Sequence, residues 1–416
     1  MSKYLQLLLH PSELRAISQW AIWHDPVFPR DLDKESDNQK RCYELLKLTS
    51  RSFAAVIEEL SPELRVATML FYLILRGLDT IEDDMTIPNP VKLPILRSFY
   101  EKLDQKGWTF NDSKEKDRVV LEEFDKIIDE FSLLADNYKL IIKDITKEMG
   151  HGMALYCEDE DFNKKGVDTI KDYNLYCHYV AGIVGEGLTR LGVAGNLIKP
   201  QIMQDPELWE SMGLFLQKTN IIRDYYEDLC DNRRFWPKEI WSKYGNSLDD
   251  FAKPENEQAG LACLDEMVAD ALEHIPGLMF YLAGIKEQSM FNFCTIPQVM
   301  AIATLELVYK NKNVFSKNVK IRKGLACKLM LQASNIQATY GIFQEYCHKI
   351  QMRNSPRDST YVRISMACAK VDQFTETVFP TKISAEELQQ KEQATFVTYI
   401  SLCVVGGLLA YFIIFV

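Results

Sequence analysis

From about residue 40 to residue 350 the sequence alternates long stretches of apolar residues at helical spacing with short polar breaks. Apolar residues at i, i+3, i+4 and i+7 form one stripe of a helix, whereas a half-buried strand needs alternation at period two. The clearest stretch runs from Ser61 to Asp84. Ser61 is a capping type, Pro62 suits a first turn, Glu63 favours the positive end of the helix dipole, and Pro88 and Pro90 close the segment. Further helices are expected near 40–59, 120–150, 170–193, 207–230, 257–284, 297–310 and 320–350. Gly (19) and Pro (15) make up about 8% of the 416 residues, below the usual ~12%, so helix breakers are scarce. No repeat of 20–50 residues is visible, and no G-x-G-x-x-G follows a strand. The expectation is an all-α fold with one large helical domain.

Charge and chain ends narrow the function classes. With 48 Lys+Arg against 59 Asp+Glu the net charge is −11, which argues against nucleic acid as a partner. A local basic pocket for a small anion remains open. Ten cysteines lie between Cys42 and Cys403 with no C-x-x-C and no zinc spacing, as in a reduced cytosolic domain. The run Tyr4-Leu5-Gln6-Leu7-Leu8-Leu9 is cut off by His10-Pro11, too short for a signal peptide. By contrast, Ala394 to Val416 is 23 residues without a charge. As a helix it would be about 35 Å long, enough for a ~30 Å hydrocarbon core. A buried core helix of that composition would have to hide every face. The expected organisation is therefore a helical domain over 1–370, a polar linker over 371–393 and a C-terminal transmembrane anchor over 394–416, inserted after synthesis with the domain in the cytosol.

Two acidic clusters continue apolar stripes. In D-T-I-E-D-D the spacing brings Asp79, Glu82 and Asp83 to one face, beside the stripe of Leu64, Phe71, Leu75 and Leu78, while Asp84 turns away. In the segment from Leu214 to Asp228, Gln217, Asn220, Asp224 and Asp228 fall within a band of about 80° next to Leu214 and Ile221. Carboxylates facing the packed side repel one another and are costly to desolvate, so they need cations. A solvated acidic helix end is the bland alternative, but two such clusters, each with a neighbouring arginine (Arg76, Arg223), argue against it. Hard oxygen ligands without His or Cys suit Mg²⁺, which keeps waters and bridges to substrate phosphates. Two carboxylate helices holding Mg²⁺ over a diphosphate turn that group into a leaving group above an apolar pocket, the arrangement for ionisation-initiated prenyl chemistry.

These motifs resemble the all-α prenyl synthase superfamily. Thr49–Ile57, Tyr176–Gly185, Gly213–Asp228, Phe251–Asn256, Phe291–Leu305 and Val319–Gly324 resemble the squalene synthase family within it. The resemblance implies a single helical domain with a central channel. It implies head-to-head condensation of two farnesyl diphosphates to presqualene diphosphate, followed by NADPH-dependent reduction to squalene. By resemblance, Asp79, Glu82, Asp83, Asp224 and Asp228 hold Mg²⁺–diphosphate with Glu227 at the edge of the face, and Arg51, Ser52, Arg76 and Arg223 bind diphosphate oxygens. Tyr176 matches the catalytic tyrosine that manages the proton lost on cyclopropane formation. Phe53 and Phe293 match aromatic groups near the cationic intermediates, and Gln217 and Asn220 the polar residues of the second half-reaction. Lys320 and Arg322, with Lys323, match the basic segment for NADPH phosphates, Arg51, Arg76 and Arg223 being shared with that cofactor. His178 is read as structural. The family further implies a monomer anchored in the endoplasmic reticulum membrane. Two alternatives stay open here: a phytoene or dehydrosqualene synthase that lacks the reduction, and a tail-anchored scaffold without catalysis.

Overall fold

Helices form wherever the apolar spacing runs at 3.6 residues per turn, and the breaks between them fall at capping and proline positions. The computed structural model describes residues 10–24, 26–159 and 166–380. The principal helices are α1 (Pro11–Trp23), α2 (Asp37–Thr49), α3 (Arg51–Ile57), α4 (Pro62–Asp83), α5 (Asn89–Lys102), α6 (Asp136–Glu158), α7 (Ile170–Cys177) and α8 (Ile183–Ala194). They continue with α9 (Pro206–Arg223), α10 (Tyr225–Cys230), α11 (Glu257–Leu272), α12 (Ile275–Ala283), α13 (Gln288–Val308), α14 (Lys323–Gln332), α15 (Ile336–Arg353) and α16 (Tyr361–Val378). Among the described residues the only β pairing is an isolated bridge between Ile198 and Ile285.

Two compact units divide the chain, Met1–Asp372 and Gln373–Val416. The core of the first unit gathers around α9, which packs against α8, α11, α12 and α13. Helix α13 is apolar and long enough to cross a bilayer by composition, yet 72% of its most apolar window is buried inside the fold, so it is a core helix. Lys218 on α9 is buried with its ammonium 2.6 Å from Asp270 on α11. Such a pair pins two helices in one register, because removing Asp270 strands the buried ammonium. None of the nine described cysteines is in a disulfide.

Several boundaries differ from the periodicity. Ser61 makes no side-chain cap on α4; its backbone N–H donates instead to Ser289 Oγ at 3.0 Å, which ties the start of α4 to α13. Pro88 and Pro90 close α4 as expected, but they also open α5, since a proline in the first turn gives up no helical hydrogen bond. The 170–193 helix contains a π-helical turn over His178–Gly182. The 207–230 helix breaks at Asp224, whose backbone (φ −92°, ψ 9°) leaves the α region. Residues 371–378, expected in the linker, continue α16. The rest of the expected linker and the uncharged segment 394–416 lie outside the described residues.

Candidate active site

The two acidic motifs meet. Asp79, Glu82 and Asp83 end α4, and Asp224 and Asp228 lie at the α9–α10 break. All five line one cavity of about 270 Å³ together with Tyr176, Gln217, Asn220, Arg76, Arg233 and Phe235. Arg233 spans it: Nη1 donates to Asp83, 150 residues away in sequence, and Nη2 donates to Asp228 Oδ1 at 3.2 Å. Both motifs thus share one counter-ion, which the sequence reading did not single out. The available signal was an Arg-Arg pair just after the second motif, a weak one by itself.

One guanidinium does not neutralise the set. Desolvation, with Asp83 and Asp117 repelling, pushes Asp79 up to about 7 even though Arg76 stands 3.6 Å away. Burial and the neighbouring Asp83 and Asp79 push Glu82 up to about 8. Burial, with Asp224 and Asp83 nearby, raises Asp228 to about 7 despite Arg233. Asp84 behaves oppositely. It is buried and turned from the cavity, accepting from Thr86 N at 2.8 Å, Ser113 Oγ at 2.8 Å and Lys114 N at 2.7 Å. Burial pushes it up, but these hydrogen bonds outweigh that and hold it at about 2. Asp84 therefore braces the loop that carries Lys114, Lys116 and Asp117 to an outer chamber of about 470 Å³, also lined by Arg76 and Arg233.

Glu227 lines this outer chamber rather than the central cavity. It accepts from Asn318 at 3.2 Å and lies 3.9 Å from Lys320. Arg223 donates from Nε to Asp224 Oδ1 at 2.8 Å. The side chains of Arg51 and Ser52, in the first turn of α3, lie outside the described set.

Tyr176 lies in the last turn of α7, two residues before the π turn, and sits in the cavity wall. Its ring stacks on Phe235 (5.4 Å between centroids, 19° between planes) and meets Tyr156 edge-on at 5.1 Å. Burial raises its phenol well above the usual value, and the charges of Glu82 and Asp83 add to this, so it stays protonated. Next to this polar cavity lies an apolar chamber of about 230 Å³, which shares Arg76, Asp79, Gln217 and Asn220 with it. Phe53 and Phe293 line the apolar chamber with their rings 6.4 Å apart. Lys320 is 62% exposed, and Arg322 forms an ion pair with Glu13 of α1.

The donor set fits Mg²⁺. Among the described residues no three His, Cys, Asp or Glu side chains are gathered into a ready coordination cluster. Mg²⁺ does not require one, because it keeps waters and binds through one or two carboxylates plus substrate phosphate. Hard oxygens short of positive charge around a cavity of this size match that habit. For a dinucleotide, exposed Lys320 and Lys323 beside Arg322 supply cations suited to phosphate.

A family model described as squalene/phytoene synthase matches residues 46–324. The chain belongs to the squalene/phytoene synthase family. It is 52% identical over 399 residues to a probable squalene synthase of Neurospora crassa, covering 94% of this chain and 83% of that protein. It is 50% identical over 385 residues to a squalene synthase of Saccharomyces cerevisiae, covering 92% and 87%. A solved structure of TcSQS with the ligand E5700 superposes with a TM-score of 0.78 at 42% identity, over 82% of this chain and 99% of that one. A dehydrosqualene synthase structure at 20% identity and TM-score 0.50, covering 71% of this chain and 95% of its own, shares the fold. The all-α prenyl synthase architecture expected from the sequence is therefore the observed one.

Proposed function

We propose that this chain is a squalene synthase that joins two farnesyl diphosphates head to head into presqualene diphosphate and then reduces and rearranges that product to squalene with NADPH. The observation that carries this is Arg233 bridging Asp83 and Asp228, which makes two distant acidic motifs one polar mouth adjoining an apolar chamber. The relatives at about half identity are squalene synthases, so the synthase that lacks the reduction is not favoured.

Asp79, Glu82, Asp83, Asp224 and Asp228 would hold Mg²⁺, with Glu227 reaching in from the outer chamber. When bound, the metal neutralises charge that builds on the departing diphosphate. Arg76 offers a planar fork of N–H donors to diphosphate oxygens, Arg233 and Arg223 would turn to them from Asp83, Asp228 and Asp224, and Arg51 and Ser52 would join them on the family pattern. The apolar walls exclude water from the prenyl cation, and the π faces of Phe53 and Phe293 stabilise it. Protonated Tyr176 acts as a relay: its O–H proton passes to a departing diphosphate oxygen while its oxygen takes the proton lost from carbon on ring closure. Gln217 and Asn220, shared by both chambers, orient the intermediate for the second half-reaction. Lys320 and Arg322 would hold NADPH, which when bound would supply the hydride of the second half-reaction. A tail anchor over 394–416 would fix the enzyme, as a monomer, to the endoplasmic reticulum with its site in the cytosol.

The test is product analysis of the full chain in detergent with farnesyl diphosphate and Mg²⁺, with and without NADPH. Presqualene diphosphate alone, turning to squalene when NADPH is added, is the expected result. A product indifferent to NADPH overturns the reductive assignment.

A further inference from the structure

Arg322 does not project freely from the basic segment. Its Nε donates to both carboxylate oxygens of Glu13 at 3.1 Å, and its Nη2 donates to Oε1 at 2.5 Å. Glu13 lies in the first turn of α1, 309 residues earlier, and its side chain is 5% exposed against 43% for Arg322. Helix α1 packs along α14, and the two approach closely where the pair forms. A Cβ built on Gly324 would fall 2.6 Å from Glu13 Cβ. A larger residue at 324 would push the carboxylate off the arginine.

A guanidinium has two forked edges. Glu13 takes the side edge, made of Nε and the inner N–H of Nη2. The end edge, made of Nη1 and the outer N–H of Nη2, has no hydrogen-bond partner among the described residues and belongs to the more exposed half of the pair. A buried carboxylate does not release its guanidinium partner readily, because among the described residues only His10, at 3.9 Å, would then stand near it. Arg322 is therefore held by one edge with the other presented, which removes the ordering cost that a long free side chain meets on binding phosphate. Lys320, two residues earlier, supplies a second cation and borders the cavity mouth through Glu227.

We propose that Glu13 is a positioning residue for the dinucleotide: it fixes Arg322 so that the free edge of the guanidinium meets a phosphate of NADPH, which makes α1 part of the reductive half of the site. This rests on the assignment of Lys320 and Arg322 to NADPH. The test is direct NADPH binding to the full chain in detergent, followed by dinucleotide fluorescence, for Glu13→Ala, Glu13→Gln, Arg322→Gln and the double variant Glu13→Ala/Arg322→Gln. NADPH-free formation of presqualene diphosphate is measured on the same samples as the control for folding. Glu13→Ala and Arg322→Gln should each weaken NADPH binding about tenfold, and the double variant should be no weaker than Arg322→Gln. Glu13→Gln, which can still hydrogen-bond the guanidinium, should fall between wild type and Glu13→Ala, and presqualene formation should be unchanged in both Glu13 single variants. If Arg322→Gln weakens binding while Glu13→Ala binds like wild type or more tightly, positioning by Glu13 is wrong. If Arg322→Gln itself binds like wild type, the dinucleotide assignment fails with it. Equal loss of binding and of presqualene formation in Glu13→Ala assigns α1 to folding alone and also overturns the proposal.

Discussion

At the scale of single residues, the site is a set of carboxylates held against their preference. Asp79, Glu82 and Asp228 titrate at about 7, 8 and 7, so near neutrality they retain protons that metal binding must displace. Addition of Mg²⁺ and pyrophosphate at pH 7 in weak buffer should release at least about one proton per site, and a silent pH trace would contradict this. The sign for stability follows. A carboxyl raised in the folded state binds its proton more tightly there, so its contribution erodes as pH rises from the unfolded value near 4 toward 7–8. Glu82→Gln should therefore raise stability at pH 8 by about 1 kcal/mol or more, read as a higher melting temperature, while abolishing turnover. Asp84 has the opposite sign: its stabilisation is present above pH 4 and is lost as pH falls toward 2. Asp84→Asn should cost about 2 kcal/mol in a denaturation midpoint at pH 7 and flatten the acid limb. The facing of Asp79, Glu82, Asp83, Asp224 and Asp228 was legible because helical spacing alone aligns them with apolar stripes. Arg233 and Phe235 in the cavity wall, and Glu13 against Arg322, were not, since each comes from a loop or a distant helix and no local period points at it.

Elements place those residues. Helix α4 was legible nearly to its ends because its stripe is unbroken. Helices α1 and α5 were missed because a proline near a chain end or after a helix reads as a stop and only tertiary packing shows it as a start. The π turn after Tyr176 was also invisible, since one extra residue per turn changes no composition. It lies where α9 comes closest. A Cβ on Gly213 would fall 2.4 Å from Ala181 O, and a Cβ on Gly185 would fall 2.5 Å from Trp209 O, both backbone atoms that cannot swing aside. Gly213→Ala should therefore separate Tyr176 from Asn220 and Asp224, costing about 1–3 kcal/mol and lowering turnover about tenfold or more. Wild-type turnover in a stable Gly213→Ala protein would show that this approach does not set the catalytic geometry.

For the molecule as a whole, one helical unit brings chemistry from α4, α7 and the α9–α10 break to one cavity, while membrane attachment is proposed for the uncharged 394–416 segment. Deleting 394–416 should move the protein from membranes to the soluble fraction with the presqualene step retained, as followed by fractionation and product assay. The central claim is that the two acidic motifs act as one device. Its most direct test is pyrophosphate release from farnesyl diphosphate by Asp83→Asn, Asp228→Asn and the double variant. Groups that act as a unit are non-additive, so each single change should lower the rate at least about a thousandfold and the double should be little worse. Near-normal release from either single variant, or losses that simply multiply in the double, would contradict it.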